Sequence, residues 1–243
     1  MPALDWLTAR PLAHRGLHDA GLIENTASAF AAAIAAGYGM ETDLQVSADG
    51  EAMVHHDEAL GRLTEGSGKL AEMSADQIQQ ARFKRSADRI LTLGELCELV
   101  AGRATLLLEL KSRFDGDDRL VRRAAEVLAG YKGPVAVMSF DPGMVGMARR
   151  IAPGLTRGIV AQRHYDDWPA LPKAYARGMA HLLHVHRTRP HFVAYRVQDL
   201  PTLATAALRL AGLPLLTWTV RTEEDRRRAA RWADQIIFEG WRP

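Results

Sequence analysis

A chain of 243 residues with a net charge of +2 and 25% charged side chains is long enough to bury roughly 70–75% of its unfolded surface without covalent staples. It has neither the basic excess of a dedicated nucleic-acid binder nor the composition of a disordered or fibrous chain. The lone Cys97 excludes a disulfide framework and fits a reducing compartment. The first ten residues have no basic stretch leading into an apolar run, so no signal peptide is expected. No apolar run approaches the roughly 20 residues needed to span a bilayer. A cytoplasmic location without integral membrane contact is expected.

Short apolar runs alternate with longer helical patterns, which marks parallel βα units. The spacing predicts a strand over 11–14 and then a helix capped by Asn25 or Thr26, with Phe30 and Ile34 on one face and its end at Gly37. A second strand covers 39–44. Alternating apolar residues then flank Asp49-Gly50, a strong hairpin signal. The chain is therefore expected to leave the sheet, turn and return, bringing His56 near Asp43. The stretch 61–86 reads as loop and short helix lying over a cleft. Beyond it the pattern predicts strands over 106–111, 134–140, 155–160, 181–186, 214–220 and 235–238. Helices are predicted over 91–100, 119–129, 144–151, 168–177, 201–211 and 223–232. Eight strands with helices between neighbours predict an α/β (β/α)8 TIM barrel with a β-hairpin excursion after strand two. The whole of 1–243 would form one domain, with a small insertion around 44–86. The competing open doubly wound sheet lacks the Gly-x-Gly-x-x-Gly fingerprint after its first strand.

In such barrels the reactive groups sit at the carboxyl ends of strands. That rule selects His14 and Arg15, Glu41 and Asp43, Glu109 and Lys111, Phe140, His186 and Trp218. Residues two apart in a strand share a face, so Glu41 pairs with Asp43 and Glu109 with Lys111. Four charges on one face of two buried strands are costly unless they bind something or each other. Three carboxylates with room for water form a hard oxygen site, suited to Mg2+, Ca2+ or Mn2+ rather than Zn2+. The plainer alternative is a buried ion-pair network in which Lys111 and Arg15 neutralise Glu41 and Asp43. His14 and His56 tip the balance toward a functional site, because titratable groups converging in a cleft mark such sites. Imidazole titrates near neutral pH, so these two are the acid–base candidates. His55 would point away, and His18, His164 and His191 read as loop or surface residues. His184 and His186 would share a strand face inside the barrel, and Met144 and Met147 read as core. The arginines of 226–231 read as a solvated helix face with acidic partners.

Taken in order, His14-Arg15-Gly16, Glu24-Asn25-Thr26, Glu41-x-Asp43, Asp49-Gly50, His56-Asp57, Glu109-x-Lys111, Ser139-Phe140 and Trp218-Thr219-Val220 resemble the glycerophosphodiester phosphodiesterase family. That family is similar in site design to phosphoinositide-specific phospholipases C. The ordered set, from about 11 to 220, carries the resemblance. It implies hydrolysis of small-molecule glycerophosphodiesters to sn-glycerol 3-phosphate and an alcohol, with His14 and His56 as the acid–base pair. Glu41, Asp43 and Glu109 would hold one divalent cation, Mg2+ or Ca2+ with Mn2+ as a third option. Arg15 and Lys111 would bind phosphate, Glu24 and Asn25 would support the site, and Trp218 and Phe140 would shape the glycerol pocket. Where the family often ends in a Thr-Asp-x-Pro-like segment, this chain has Phe238-Glu239-Gly240-Trp241-Arg242-Pro243, and Glu239 receives no role. One alternative is a phospholipase C- or D-like enzyme acting on lipid, which needs an apolar rim. The other is a non-catalytic binding protein on the same barrel.

Overall fold

The computed structural model describes residues 4–166 and 168–243. The first half contains α1 (Asp5–Thr8), β1 (Leu12–His14), α2 (Ala27–Ala35), β2 (Gly39–Val46), β3 (Ala52–Val54), β4 (Ala59–Leu60), β5 (Gly68–Lys69), α3 (Ala75–Gln80), α4 (Leu93–Val100) and β6 (Leu106–Leu110). Then come α5 (Arg119–Leu128), β7 (Val135–Ser139), α6 (Pro142–Ile151), β8 (Thr156–Ala161), α7 (Lys173–Ala180), α8 (Val185–Thr188), β9 (Phe192–Arg196), α9 (Leu203–Leu210), β10 (Leu215–Val220), α10 (Glu223–Trp232) and β11 (Gln235–Phe238).

Strands β1, β2, β6, β7, β8, β9, β10 and β11 pair side by side in that order, all parallel, and β11 returns to β1. The result is the closed (β/α)8 barrel expected from the pattern. Its strands are apolar on both faces because helices cover the outside and side chains fill the inside. Leu12, Leu107, Ala136, Val160, Phe192, Leu216 and Ile237 fill the interior, joined by Leu7 of α1 and by Leu4 just before it. That helix lies at the amino end of the strands, where Thr105 Oγ1 donates to Trp6 O and Gln235 Nε2 donates to Thr8 O. Gly158 makes room inside: a Cβ there would meet the Phe192 ring at 2.2 Å. The interior is thus plugged from below and left open above.

The hairpin forms as expected. β3 runs antiparallel to β2, with Leu44 opposite Val54 and Val46 opposite Ala52, and Gly50 takes φ +86° in the turn. Thr26 caps α2 through a bond from Ala29 N–H.

Two expectations need correction. Residues 181–186 are not a strand; they form a turn leading into α8, and the sixth barrel strand is β9. Leu182 and Val185, three apart, carry helical spacing that a period-two reading mistakes for alternation. The continuous apolar run of β9 is what a strand buried on both faces looks like. His184 and His186 therefore do not line the barrel. His184 stands at the start of α8, and His186 is exposed with Nδ1 2.8 Å from Leu183 O. Nor does the segment 61–86 lie over the cleft. It packs beside the barrel on a core of its own, built with Met53, Leu70, Ile78, Phe83 and Ile90. No helix among the described residues is long and apolar enough to cross a membrane.

Candidate active site

The register of three neighbouring strands assembles the site. β1 sets His14 beside Glu41, and β2 sets Asp43 beside Glu109 of β6. His14, Glu41 and Glu109 line a cleft of about 880 Å³ at the open end of the barrel, together with Arg15, His56, Lys111, Phe140 and Trp218, and Asp43 is buried between Glu41 and Glu109. One ligand atom from each of Glu41, Asp43 and Glu109 falls within 4.8 Å of the others. All three carboxylates are buried.

The ion-pair alternative explains part of this cluster. Lys111 Nζ lies 2.7 Å from both Asp43 Oδ1 and Glu109 Oε1. Arg15 Nε lies 3.3 Å from Asp43, while its Nη1 donates to Glu24 at 2.8 Å. Glu41 is different. Its carboxylate accepts the Arg15 backbone N–H at 3.2 Å and lies 3.9 Å from His14 Nε2. Among the described residues it forms no ion pair with a lysine or arginine. Burial, with Asp43 and Glu109 adding repulsion, pushes its carboxyl well above the usual range. Burial also opposes ionisation of Asp43, but Lys111 and Arg15 outweigh it and hold that carboxyl well below the usual range. Three buried carboxylates against this much positive charge leave negative charge uncompensated at Glu41, and an all-oxygen set of this kind fits a hard divalent cation.

The backbone behind the site is strained. Arg15 and Asn25 both sit at φ 57°, in the left-handed region that disfavours side chains. They brace each other, Asn25 N–H donating to Arg15 O at 2.9 Å. Asn25 Nδ2 also donates to Asp43 Oδ2 at 2.9 Å, and Thr42 Oγ1 donates to Asn25 Oδ1 at 2.7 Å. Asn25 thereby holds Asp43 in place.

The returning hairpin delivers His56. His55 N–H donates to Asp43 O at 3.1 Å, and Gln45 Nε2 donates to His56 O at 2.9 Å. His55 itself is buried away from the cleft lining. His56 Nδ1 lies 2.8 Å from Asp57 Oδ1; Arg62 Nε donates to Asp57 Oδ2 at 2.5 Å, and Arg62 Nη2 donates to Glu24 at 2.7 Å. A chain of ion pairs thus runs from His56 through Asp57, Arg62 and Glu24 to Arg15. On the other side His14 is buried, which lowers its pKa to about 4 despite a 2.5 Å contact between Nδ1 and Glu239 Oε2.

Sequence reasoning missed several of these groups. Glu239 sits just past the carboxyl end of β11, where the strand-end rule points. His18, read as a surface residue, is half-buried 4.0 Å from Glu239. Asp57, part of the His56-Asp57 motif, links His56 to Arg62. The wall of the cleft comes from 112–117 and 168–172, not from 61–86. Phe114 and Trp168 meet edge to face at 5.8 Å, and Phe140 packs against Trp168 at 5.1 Å and Trp218 at 5.4 Å. Trp218 Nε1 donates to Ala194 O at 3.1 Å, which fixes its ring. Loop aromatics carry no periodicity, so the sequence offers no pattern from which to place them.

A closed parallel barrel with these acidic, basic and imidazole groups at its carboxyl end belongs to the class of TIM-barrel phosphoric diester hydrolases. The family model described as "Glycerophosphoryl diester phosphodiesterase family" matches residues 14–239, and the chain belongs to that family. A glycerophosphodiester phosphodiesterase from Caldanaerobacter subterraneus subsp. tengcongensis is 28% identical over 94% of this chain and 93% of its own. The structure of an Oleispira antarctica phosphodiesterase in complex with the product sn-glycerol-3-phosphate has a TM-score of 0.80 at 20% identity, covering 96% of this chain and 94% of that one. The glycerophosphodiester phosphodiesterase of Thermotoga maritima has a TM-score of 0.72 at 25% identity, covering 93% and 92%.

Proposed function

We propose that this enzyme hydrolyses glycerophosphodiesters to sn-glycerol 3-phosphate and an alcohol, depends on one divalent cation, and uses His14 and His56 as its acid–base pair. The observation that carries the reading is the crowding of Glu41, Asp43 and Glu109 within 4.8 Å at a cleft that both histidines line. Glu41, Asp43 and Glu109 would hold the cation, Mg2+ or Ca2+ with Mn2+ as a third option. When bound, it supplies positive charge that offsets the charge of the phosphodiester and stabilises the charge growing in the transition state.

This chain's own residues do the rest. Arg15 and Lys111 bind the phosphate oxygens, and the walls of Phe140 and Trp218 hold the glycerol. One imidazole takes the proton from the glycerol hydroxyl next to the ester, which attacks phosphorus with the advantage of proximity. The other protonates the departing alcohol. Water then opens the cyclic phosphate with the roles reversed.

The apolar wall of Phe114, Trp168 and Leu171 favours a second reading: the glycerol of the substrate carries an acyl chain, as in a lysophospholipid. One assay separates the readings. Purified enzyme with Mg2+ is given glycerophosphocholine or lysophosphatidylcholine, and products are followed by 31P NMR. Glycerol 3-phosphate from glycerophosphocholine, abolished by chelator, is the expected result. Faster turnover of the lysophospholipid supports the second reading. Release of phosphocholine, or no product from either compound, contradicts both.

A further inference from the structure

Glu239 directly follows β11, and the reading above gives it no part in holding phosphate or cation. Its carboxylate nevertheless has two tightly placed partners. Oε2 lies 2.5 Å from His14 Nδ1. Arg221 donates through Nε to Oε1 at 3.1 Å and through Nη2 to Oε2 at 2.8 Å. The His14 and Glu239 side chains are only 10% and 23% exposed, so water competes weakly for their bond. The backbone fixes the carboxylate as well. Glu239 N–H donates to Val220 O at 3.2 Å, and Trp241 Nε1 donates to the same carbonyl at 2.9 Å. Gly240, at φ +79°, turns the chain away just beyond.

A carboxylate gripped by an arginine can only accept hydrogen bonds. Neutral imidazole carries one N–H. If Nδ1 donates to Glu239, Nε2 is the bare nitrogen, and Nε2 is the atom 3.9 Å from Glu41. His56 repeats the arrangement, with Asp57 on Nδ1 and Arg62 on Asp57. Both imidazoles of the cleft are thus backed by a carboxylate, and each carboxylate by an arginine, although the supporting groups come from opposite halves of the chain.

We propose that Glu239, steadied by Arg221, is a positioning residue for the reaction: it fixes the ring of His14 and holds the tautomer whose Nε2 faces the cleft without a proton. The inference rests on His14 serving as an acid–base group in the proposed function. Without the carboxylate the ring turns and the tautomers mix, so fewer molecules present a competent Nε2. Arg15 and Lys111 keep their substrate contacts, so the loss falls on kcat rather than KM.

The test joins kinetics on glycerophosphocholine to long-range 1H–15N NMR of the Mg2+-loaded protein, with the His14 signals assigned by their absence in His14→Ala. Glu239→Gln is expected to lower kcat by about 10²–10³-fold with KM within about threefold, on the pattern of a catalytic histidine that loses its orienting carboxylate. Glu239→Asp recovers part of that loss, and Arg221→Gln shows a smaller one. The NMR shows His14 as the Nδ1–H tautomer in the wild type and as a mixture in Glu239→Gln. Should Glu239→Gln fail to fold, Glu239→Asp and Arg221→Gln carry the same readouts. A kcat for Glu239→Gln within about threefold of wild type overturns the proposal, as does a His14 spectrum that the substitution leaves unchanged. The NMR arm needs no turnover. A wild type inactive on glycerophosphocholine whose His14 tautomer still depends on Glu239 contradicts the substrate reading alone.

Discussion

Replacing His14 or His56 by alanine is expected to lower kcat by about 10³-fold, within the range that general acid–base groups contribute. Each histidine would serve in both halves of the reaction, as acid in one and base in the other, so neither can compensate for loss of its partner. The double variant should be little slower than either single one, because residues acting as a unit are not additive. Both single variants should still bind Mg2+, since the proposed ligands are all carboxylates. The pH dependence has a definite sign. Burial lowers the His14 pKa to about 4, so its ring stays neutral well below the ordinary imidazole range and takes up a proton only as pH falls through that value. The acid limb of kcat/KM is therefore expected below pH 6.5 and should change in His14→Ala. Steady-state kinetics from pH 4 to 9 checks both points. A variant with near-normal turnover contradicts the acid–base assignment.

The second large effect concerns Glu41, and it has opposite signs for stability and activity. Glu41 is 2% exposed, and its carboxyl is raised well above its usual range by burial and by Asp43 and Glu109. A carboxyl with a raised folded-state pKa binds its proton more tightly when folded, so its ionised form destabilises the fold at neutral pH. Glu41→Gln keeps the shape, keeps an oxygen to accept the Arg15 N–H, and removes the charge. The cation-free variant is expected to be more stable than wild type by about 1–2 kcal/mol, an increase of several degrees in Tm for a chain of this size. Turnover should fall at least 10²-fold, because a ligand and its charge are gone. Thermal melts in chelator and in saturating Mg2+ read out both effects. Wild type gains stability when the cation is added, as any ligand of the folded state requires, and the variant gains little. A variant that melts below wild type in chelator, yet responds normally to Mg2+, contradicts the role given to Glu41.

Much of this molecule is legible from sequence for one reason: charges on otherwise apolar strands stand out. Glu41, Asp43, Glu109 and Lys111 interrupt runs that otherwise read as buried β, and the strand-end rule then brings them together. The Asp49-Gly50 turn likewise predicts that His56 returns toward Asp43, and the hairpin register places it there. Helix 223–232 and strand 235–238 match the observed α10 and β11, because acidic residues open that helix and a short apolar run follows it. What escaped detection depends on long-range packing. Residues 181–186 alternate like a strand but fold into a turn and α8, while the true strand, β9, lies a few residues on. The segment 61–86 builds a satellite core whose partners, Met53 and Ile90, lie outside it. The pairing of His14 with Glu239 spans nearly the whole chain and exists only because β11 closes against β1.

The central claim is that carboxylates from neighbouring strands hold a single divalent cation beside two imidazoles. Crystals of the protein grown with Mn2+ test it directly through an anomalous difference map. The account predicts one peak, coordinated by oxygens of Glu41, Asp43 and Glu109 at distances of about 2.0–2.6 Å. No peak at those carboxylates, or a peak between His14, His18 and Glu239 instead, would contradict it.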